Sequence, residues 1–230
     1  MISQRRAPSL TLAWLQVAVQ QLTAMDDGLA RIVAAHGAPP LWPREAGLAT
    51  LVHMILEQQV SLQSAATLFR KLQFAVPQFS PAALSAMGVD GLRALGLTRQ
   101  KASYVVALAD RVASGALPLA TLARYSDANA AGLLMHVPGI GPWTASVYQL
   151  LVLRRPDVWP PGDLALHKAI QRLRGLEALP STSDATCIAD AWSPWRAVAA
   201  RILWHGYLAE RAMRAPSLAS VKEFDYYSTS

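Results

Sequence analysis

Between Leu133 and Leu153 the chain reads LLMHVPGIGPWTASVYQLLVL. Two apolar runs are separated there by Val137-Pro138-Gly139-Ile140-Gly141. A first helix is expected to end near His136 and a second to open at Pro142, whose missing N–H is no loss in a first helical turn. Glycines at 139 and 141 permit turn conformations and leave main-chain N–H groups open at the positive end of the second helix, an arrangement able to hold one phosphate. Such a contact positions a nucleic acid without reading its sequence. Taken alone, a G-x-G between helices is equally an ordinary connection between packed helices. His136 reads as a helix C-terminal residue favoured by the macrodipole, not as a catalyst.

Twenty-two residues beyond Gly141 stands Asp163, in Val158-Trp159-Pro160-Pro161-Gly162-Asp163-Leu164-Ala165-Leu166-His167-Lys168. Its structural role there is a helix N-cap, and for an isolated Asp that role is sufficient. The prolines and glycine also bring it to a chain turn one helix beyond the phosphate-binding hairpin, where a carboxylate could serve the sugar next to a gripped backbone. Upstream, Gln58-Gln59-Val60-Ser61 could cap the following helix through Ser61.

The elements that must position these residues are helical. Apolar residues recur at helical spacing, as in Leu10, Trp14 and Val17, in Leu51 and Ile55, and in Leu62, Ala65, Ala66 and Phe69. Proline and glycine punctuate the runs at 37–43, 79–81, 115–118, 137–142, 156–162 and 193–194, which predicts about ten helices and no strand. Ser80, before Pro81, and Asp90, before GLRALGL, read as helix starts.

At 230 residues, 53% hydrophobic and 16% charged, the chain can bury a core without metal or disulfide staples, and disorder is confined to its ends. Cys187, the single cysteine, excludes internal disulfides, cysteine-rich zinc sites and a four-cysteine iron–sulfur cluster. The net charge is +6, and of the 21 basic residues only Lys71, Lys101, Lys168 and Lys222 are lysines. Arginine forks suit phosphate, although charge alone is weak evidence for nucleic acid. No apolar run is long enough for a membrane span and no secretory signal opens the chain, so a cytoplasmic location is expected.

These motifs together resemble the helix-hairpin-helix DNA glycosylases, and within them the alkylation-repair branch of the 3-methyladenine DNA glycosylase II type. The resemblance runs from about Leu41 to Ala209 and rests on LVHMILEQQVS (51–61), VPGIGPWTA (137–145), VWPPGDLAL (158–166) and WSPWRAVAARILWHGY (192–207) in that order. It implies an all-α, two-lobed fold with the active site between the lobes and no N-terminal β-domain. One helical lobe would span 48–155, a second would combine 1–47 with 156–218, and 219–230 would be a loosely ordered tail.

The resemblance also implies roles. Asp163 matches the catalytic aspartate, and Gly139 and Gly141 the DNA-anchoring hairpin. The main-chain carbonyls of Met135, Val137 and Ile140 match a monovalent-cation site, for Na⁺ or K⁺. Gln59 matches the wedge that fills the space of a flipped base. Gln58, Trp143, Val147, Leu164 and Trp204 match the base pocket, with the two indoles suited to a cationic methylated base. Bifunctional members carry a nucleophilic lysine where Trp143 stands, so hydrolysis without strand cleavage is expected. Val147 and Leu164 replace bulky tyrosines of that branch, which implies a more open pocket. Trp192, Trp195 and Arg196 read as scaffold behind it, and Trp14, Trp42 and Trp159 as core or lobe contacts.

The implied activity is release of alkylated bases in base excision repair, by a monomer acting on double-stranded DNA without a catalytic cofactor. The alternatives are a non-catalytic helix-hairpin-helix module that binds DNA or senses damage, and a glycosylase for other damaged bases.

Overall fold

The structure, a computed structural model, describes residues 9–214. Among these there is no strand. Eleven α-helices occur in chain order: α1 Leu12–Met25, α2 Asp27–His36, α3 Leu48–Glu57, α4 Leu62–Ala75, α5 Pro81–Ala94, α6 Arg99–Ala113, α7 Asp127–Met135, α8 Pro142–Leu151, α9 Leu164–Arg174, α10 Thr182–Asp190 and α11 Arg196–Arg214. A 3-10 turn, Leu119–Arg124, precedes α7. No helix among the described residues is long and apolar enough to cross a membrane. The tail expected at 219–230 lies outside them.

Side-chain caps set most helix starts. Ser61, Ser80, Thr98, Ser126, Asp163 and Ser181 each accept a first-turn N–H, which satisfies donors that a helix leaves unpaired at its N-terminus. The start expected at Asp90 lies instead within α5. Gly88, at φ 62 and ψ −179, breaks the helix and restarts it, and Asp90 falls in the restarted turn beside Arg93.

The chain divides into two compact units. Glu45–Tyr148 belong to one, and among the described residues 9–44 and 149–214 belong to the other. The second division falls inside α8, not at the proline-rich stretch beginning at Pro156 that the sequence marks. Prolines and glycines report where a chain turns, and a helix crosses a unit boundary without any break in composition.

In the first unit α3 packs on α4 and α6, and α5 on α6. Leu51, Val52, Ile55 and Leu56 of α3 are fully buried, so this helix is apolar around most of its circumference. In the second unit α11 packs against α1, α2, α9 and α10. The expected α1 stripe is not the buried one: Trp14 and Val17 are 54% and 37% exposed, while Leu15, Ala18, Val19 and Leu22 face the core. Trp14 instead stacks on Trp195 at 6.1 Å. Trp42 and Trp159 are buried as expected.

Two polar clusters fix the second unit. Asp26 caps α2, and its Oδ2 accepts from Trp192 Nε1 at 2.8 Å and Arg174 at 2.6 Å. Burial alone would raise the Asp26 pKa, but the bonds from Trp192, the Leu29 N–H and Arg174, with the Arg174 charge, bring it below the usual carboxylate value. Arg201, fully buried on α11, donates to the carbonyls of Leu41, Ala197 and Leu150. Arg196 holds Asp157 and Asp190 at the start of α11.

Candidate DNA-binding hairpin and carboxylate site

The hairpin forms between α7 and α8 as the glycines require. α7 ends at Met135 and His136 is its C-cap, with Nδ1 2.6 Å from the Gly132 carbonyl oxygen. The N–H groups of Val137 and Ile140 then donate to the carbonyls of Leu134 and Val137, giving two successive tight turns. Gly139 has φ 86, the left-handed region that suits glycine. A Cβ at Gly139 would also lie 2.2 Å from the Tyr104 ring of α6, so two constraints exclude any side chain there.

Gly141 differs from the sequence reading, because its φ is not positive and a Cβ would meet nothing within 4 Å. The protein itself does not require glycine at 141. A close approach of another molecule to that backbone would.

The turn after α3 lies against this hairpin. Gln58 is the C-cap of α3 and Gln59 takes the left-handed conformation at φ 59. Gln58 Nε2 donates to the Gly139 carbonyl at 2.8 Å and to Thr144 Oγ1 at 3.4 Å. Sequence reasoning placed Gln58 on a base; the structure places its amide on the hairpin. Gln59 and Val60 are exposed, and Ser61 caps α4, so the turn has both the exposed and the capping character expected. Trp143, in the first turn of α8, is 38% exposed, whereas Val147 one turn on is buried.

Two supports of this region escaped the sequence. Lys101 Nζ donates to the Leu56 carbonyl at 2.7 Å, in the last turn of α3, and burial lowers its pKa. Tyr104, three residues on, covers Gly139 and accepts from Gln100 Nε2 at 2.7 Å. The i, i+3 spacing within TRQKASY puts Lys101 and Tyr104 on one face of α6, which is the only signal the sequence carried for them.

Asp163, in the second unit, is 8% exposed and is the N-cap of α9. Its Oδ1 accepts from the Leu166 N–H at 2.9 Å and from Trp204 Nε1 at 3.2 Å. Two neutral donors from different helices therefore hold the carboxylate in one orientation, and the same bond fixes the Trp204 ring. Leu164, next in chain, is 55% exposed. Lys168 is partly buried on α9.

A hairpin of this geometry and a capped, twice-bonded aspartate on one all-helical chain define a narrow class. A sequence profile of HhH-GPD superfamily base excision DNA repair proteins matches residues 52–196, well over half of the chain. The chain belongs to the HhH-GPD superfamily. The matched region contains the Gln58 turn, the hairpin and Asp163.

Among similar proteins, this HhH-GPD chain is 32% identical over 108 residues to a DNA-3-methyladenine glycosylase of Bacillus subtilis, covering 47% of this chain and 36% of that one. The structure of Bacillus halodurans DNA-3-methyladenine glycosidase has a TM-score of 0.73 and 25% identity, over 91% of this chain and 95% of that one. The Schizosaccharomyces pombe 3-methyladenine DNA glycosylase Mag1, solved in complex with abasic DNA, has a TM-score of 0.75 and 23% identity, over 88% and 99%. These likenesses show the same all-helical fold. The chain spans 14% to 69% of the length of the curated relatives it matches, and less than two thirds of most of them.

Proposed function

We propose that this HhH-GPD protein is a monofunctional DNA glycosylase that flips cationic methylated bases out of duplex DNA and hydrolyses their N-glycosidic bond. The observation that carries the reading is Asp163: a buried carboxylate held by Leu166 N–H and Trp204 Nε1, in a chain whose α7–α8 hairpin has the backbone of a phosphate grip. Curated relatives named DNA-3-methyladenine glycosylases support the substrate class.

In the proposed reaction the bond from C1′ to the base breaks, and the base leaves with its electron pair and becomes neutral because it began with a positive charge. Asp163 stabilises the oxocarbenium-like sugar and takes a proton from the water that adds to C1′. No acid is needed for so good a leaving group. Trp143 and Trp204 each offer an indole face suited to a cationic ring, and Gln59 fills the vacated stack. Gly139 and Gly141 offer their N–H groups to a backbone phosphate. Leu164, exposed and smaller than an aromatic, leaves room for bases methylated on their pairing edge.

The carbonyl donor set fits a monovalent cation. Among the described residues no backbone N–H reaches the carbonyls of Met135 and Ile140, and that of Val137 accepts only from Ile140 within the turn. Three neutral oxygens, two of them from Met135 and Val137 at the negative end of α7, suit Na⁺ or K⁺, which would add positive charge beside the phosphate grip. No group of acidic, histidine or cysteine ligands for a metal occurs among the described residues.

The test is base release from duplexes carrying 3-methyladenine, 7-methylguanine or a pairing-edge methylated base, with Asp163→Asn beside the wild type. Asparagine caps a helix as well as aspartate does. The variant should therefore stay folded and keep its affinity for abasic-site DNA while release is abolished. Comparable release by folded Asp163→Asn leaves Asp163 an N-cap and favours a DNA-binding module instead. Product strands should remain intact until heated in alkali, since Trp143 has no amine. A borohydride-trapped protein–DNA adduct would refute this and direct attention to Lys168.

A further inference from the structure

The Gln58 turn and the hairpin are 81 residues apart in sequence, yet three contacts tie them together within one unit. Gln58 Nε2 donates to the Gly139 carbonyl at 2.8 Å. Lys101 Nζ donates to the Leu56 carbonyl at 2.7 Å, two residues before Gln58. The Tyr104 ring, one turn beyond Lys101 on α6, lies so close to Gly139 that a Cβ would be 2.2 Å away. One face of α6 thus backs both loops, and Gln58 joins them directly.

The bond acts on a particular peptide group. The Gly139 carbonyl and the Ile140 N–H belong to one planar unit. Gln58 holds its oxygen end, and the Val137 carbonyl accepts from its nitrogen end at 3.0 Å. The peptides on either side carry the N–H groups of Gly139 and Gly141, which the proposed grip offers to phosphate. A glycine-rich turn fixed at both ends of its central peptide has less freedom to rotate those donors away. On the other side of the same bond, Gln58 is itself the residue that precedes Gln59.

We propose that Gln58 is a positioning residue that locks the Gln59 turn to the phosphate-binding hairpin, so that grip and wedge engage DNA as one rigid piece. This rests on the wedge and grip roles proposed above. It moves Gln58 from touching the base to acting through Gln59 and Gly139. Held loops lose less freedom on binding, and the seating of a phosphate sets where the wedge enters the stack.

The experiment uses the full chain in two arms. In the first, a duplex with a tetrahydrofuran abasic-site analogue and 2-aminopurine opposite it reports wedge insertion by fluorescence, without base release. Gln58→Leu and Gln59→Ala should each reduce the insertion equilibrium roughly five-fold, the size of one net hydrogen bond. Gln58→Leu added to Gln59→Ala should change it by less than about two-fold, because the residue it positions is gone. Gln58→Glu keeps the shape but loses the donor, and should behave as Gln58→Leu.

The second arm needs no DNA. Amide hydrogen exchange at Ile140, whose N–H is held by the Val137 carbonyl, should accelerate in Gln58→Leu while the thermal midpoint is retained. Independent, multiplying effects of Gln58→Leu and Gln59→Ala would overturn the proposal and return Gln58 to the base pocket. Unchanged exchange at Ile140 would overturn it too. Wild-type protein that gives no fluorescence change removes the wedge and this inference with it. A normal fluorescence response without release of any methylated base refutes only the glycosylase reading.

Discussion

Replacing Gly139 by alanine should damage the hairpin in two separable ways. At φ 86 an L side chain pays a left-handed penalty of about 1–2 kcal/mol. The new methyl would also sit 2.2 Å from Tyr104 Cδ2, 2.5 Å from Cγ and 2.6 Å from Cε2, so ring or hairpin must shift. Overpacking of that kind costs about 1–3 kcal/mol. The expected loss is therefore about 2–5 kcal/mol by urea unfolding, or a midpoint lower by roughly 4–20 °C for a chain of this size. Adding Tyr104→Ala should recover the overpacking part and leave the backbone part, a favourable coupling of about 1–3 kcal/mol in a double-mutant cycle.

Gly141→Ala is the control, since nothing lies within 4 Å of its added methyl and its φ is not left-handed. It should unfold within about 0.5 kcal/mol of wild type. If the hairpin holds a phosphate, Gly141→Ala should nevertheless weaken abasic-site DNA several-fold, because only the ligand needs that space. Gly139→Ala as stable as wild type would refute the geometry. Gly141→Ala with full DNA affinity would refute the grip.

Three further outcomes are expected. Because the Asp26 pKa is depressed on folding, its stabilisation is present above about pH 4 and is lost as pH falls through the lower folded value, so Asp26→Asn should flatten the acid limb of the stability curve; parallel acid limbs for both proteins would count against it. Arg201→Met should destabilise by about 2–5 kcal/mol, since it strips the Leu41 and Leu150 carbonyls of their side-chain donor at about 1–3 kcal/mol each, and a loss under about 1 kcal/mol in chemical denaturation would contradict that. Trp143→Ala should slow release of 7-methylguanine more than it weakens abasic-site DNA, by the roughly 0.5–2 kcal/mol of a cation–π contact; equal effects on both would place Trp143 outside the base pocket.

How far the sequence carried these conclusions varied with the range of the interaction. Ser61, Ser80 and Asp163 cap the helices that their own sequences predict, because a cap is settled within three or four residues. The turn at Val137–Gly141 was legible for the same reason. Leu10 is buried as its spacing implies, but Trp14 and Val17 misled, because α1 is apolar on more than one side and periodicity does not say which stripe a partner helix covers. Gln58 misled differently. Its amide partner is 81 residues away, and nothing local distinguishes a glutamine aimed at a base from one aimed at a carbonyl.

The same limit explains why Asp163 was read by context and not by spacing. A cap and a catalytic carboxylate make identical demands on the three residues that follow, and the Leu166 N–H bond serves both roles. What separates them is Trp204 Nε1, 41 residues away, which turns the carboxylate's lone pair toward an indole that a simple cap does not need. A surface N-cap gains its stabilisation from the helix alone. Asp163 is instead buried and shared between α9 and α11, so the fold keeps a carboxylate out of water at a position where serine would cap as well. A residue chosen for capping alone would not need that second bond, so Asp163→Ser should keep the cap of α9 and lose the link to Trp204.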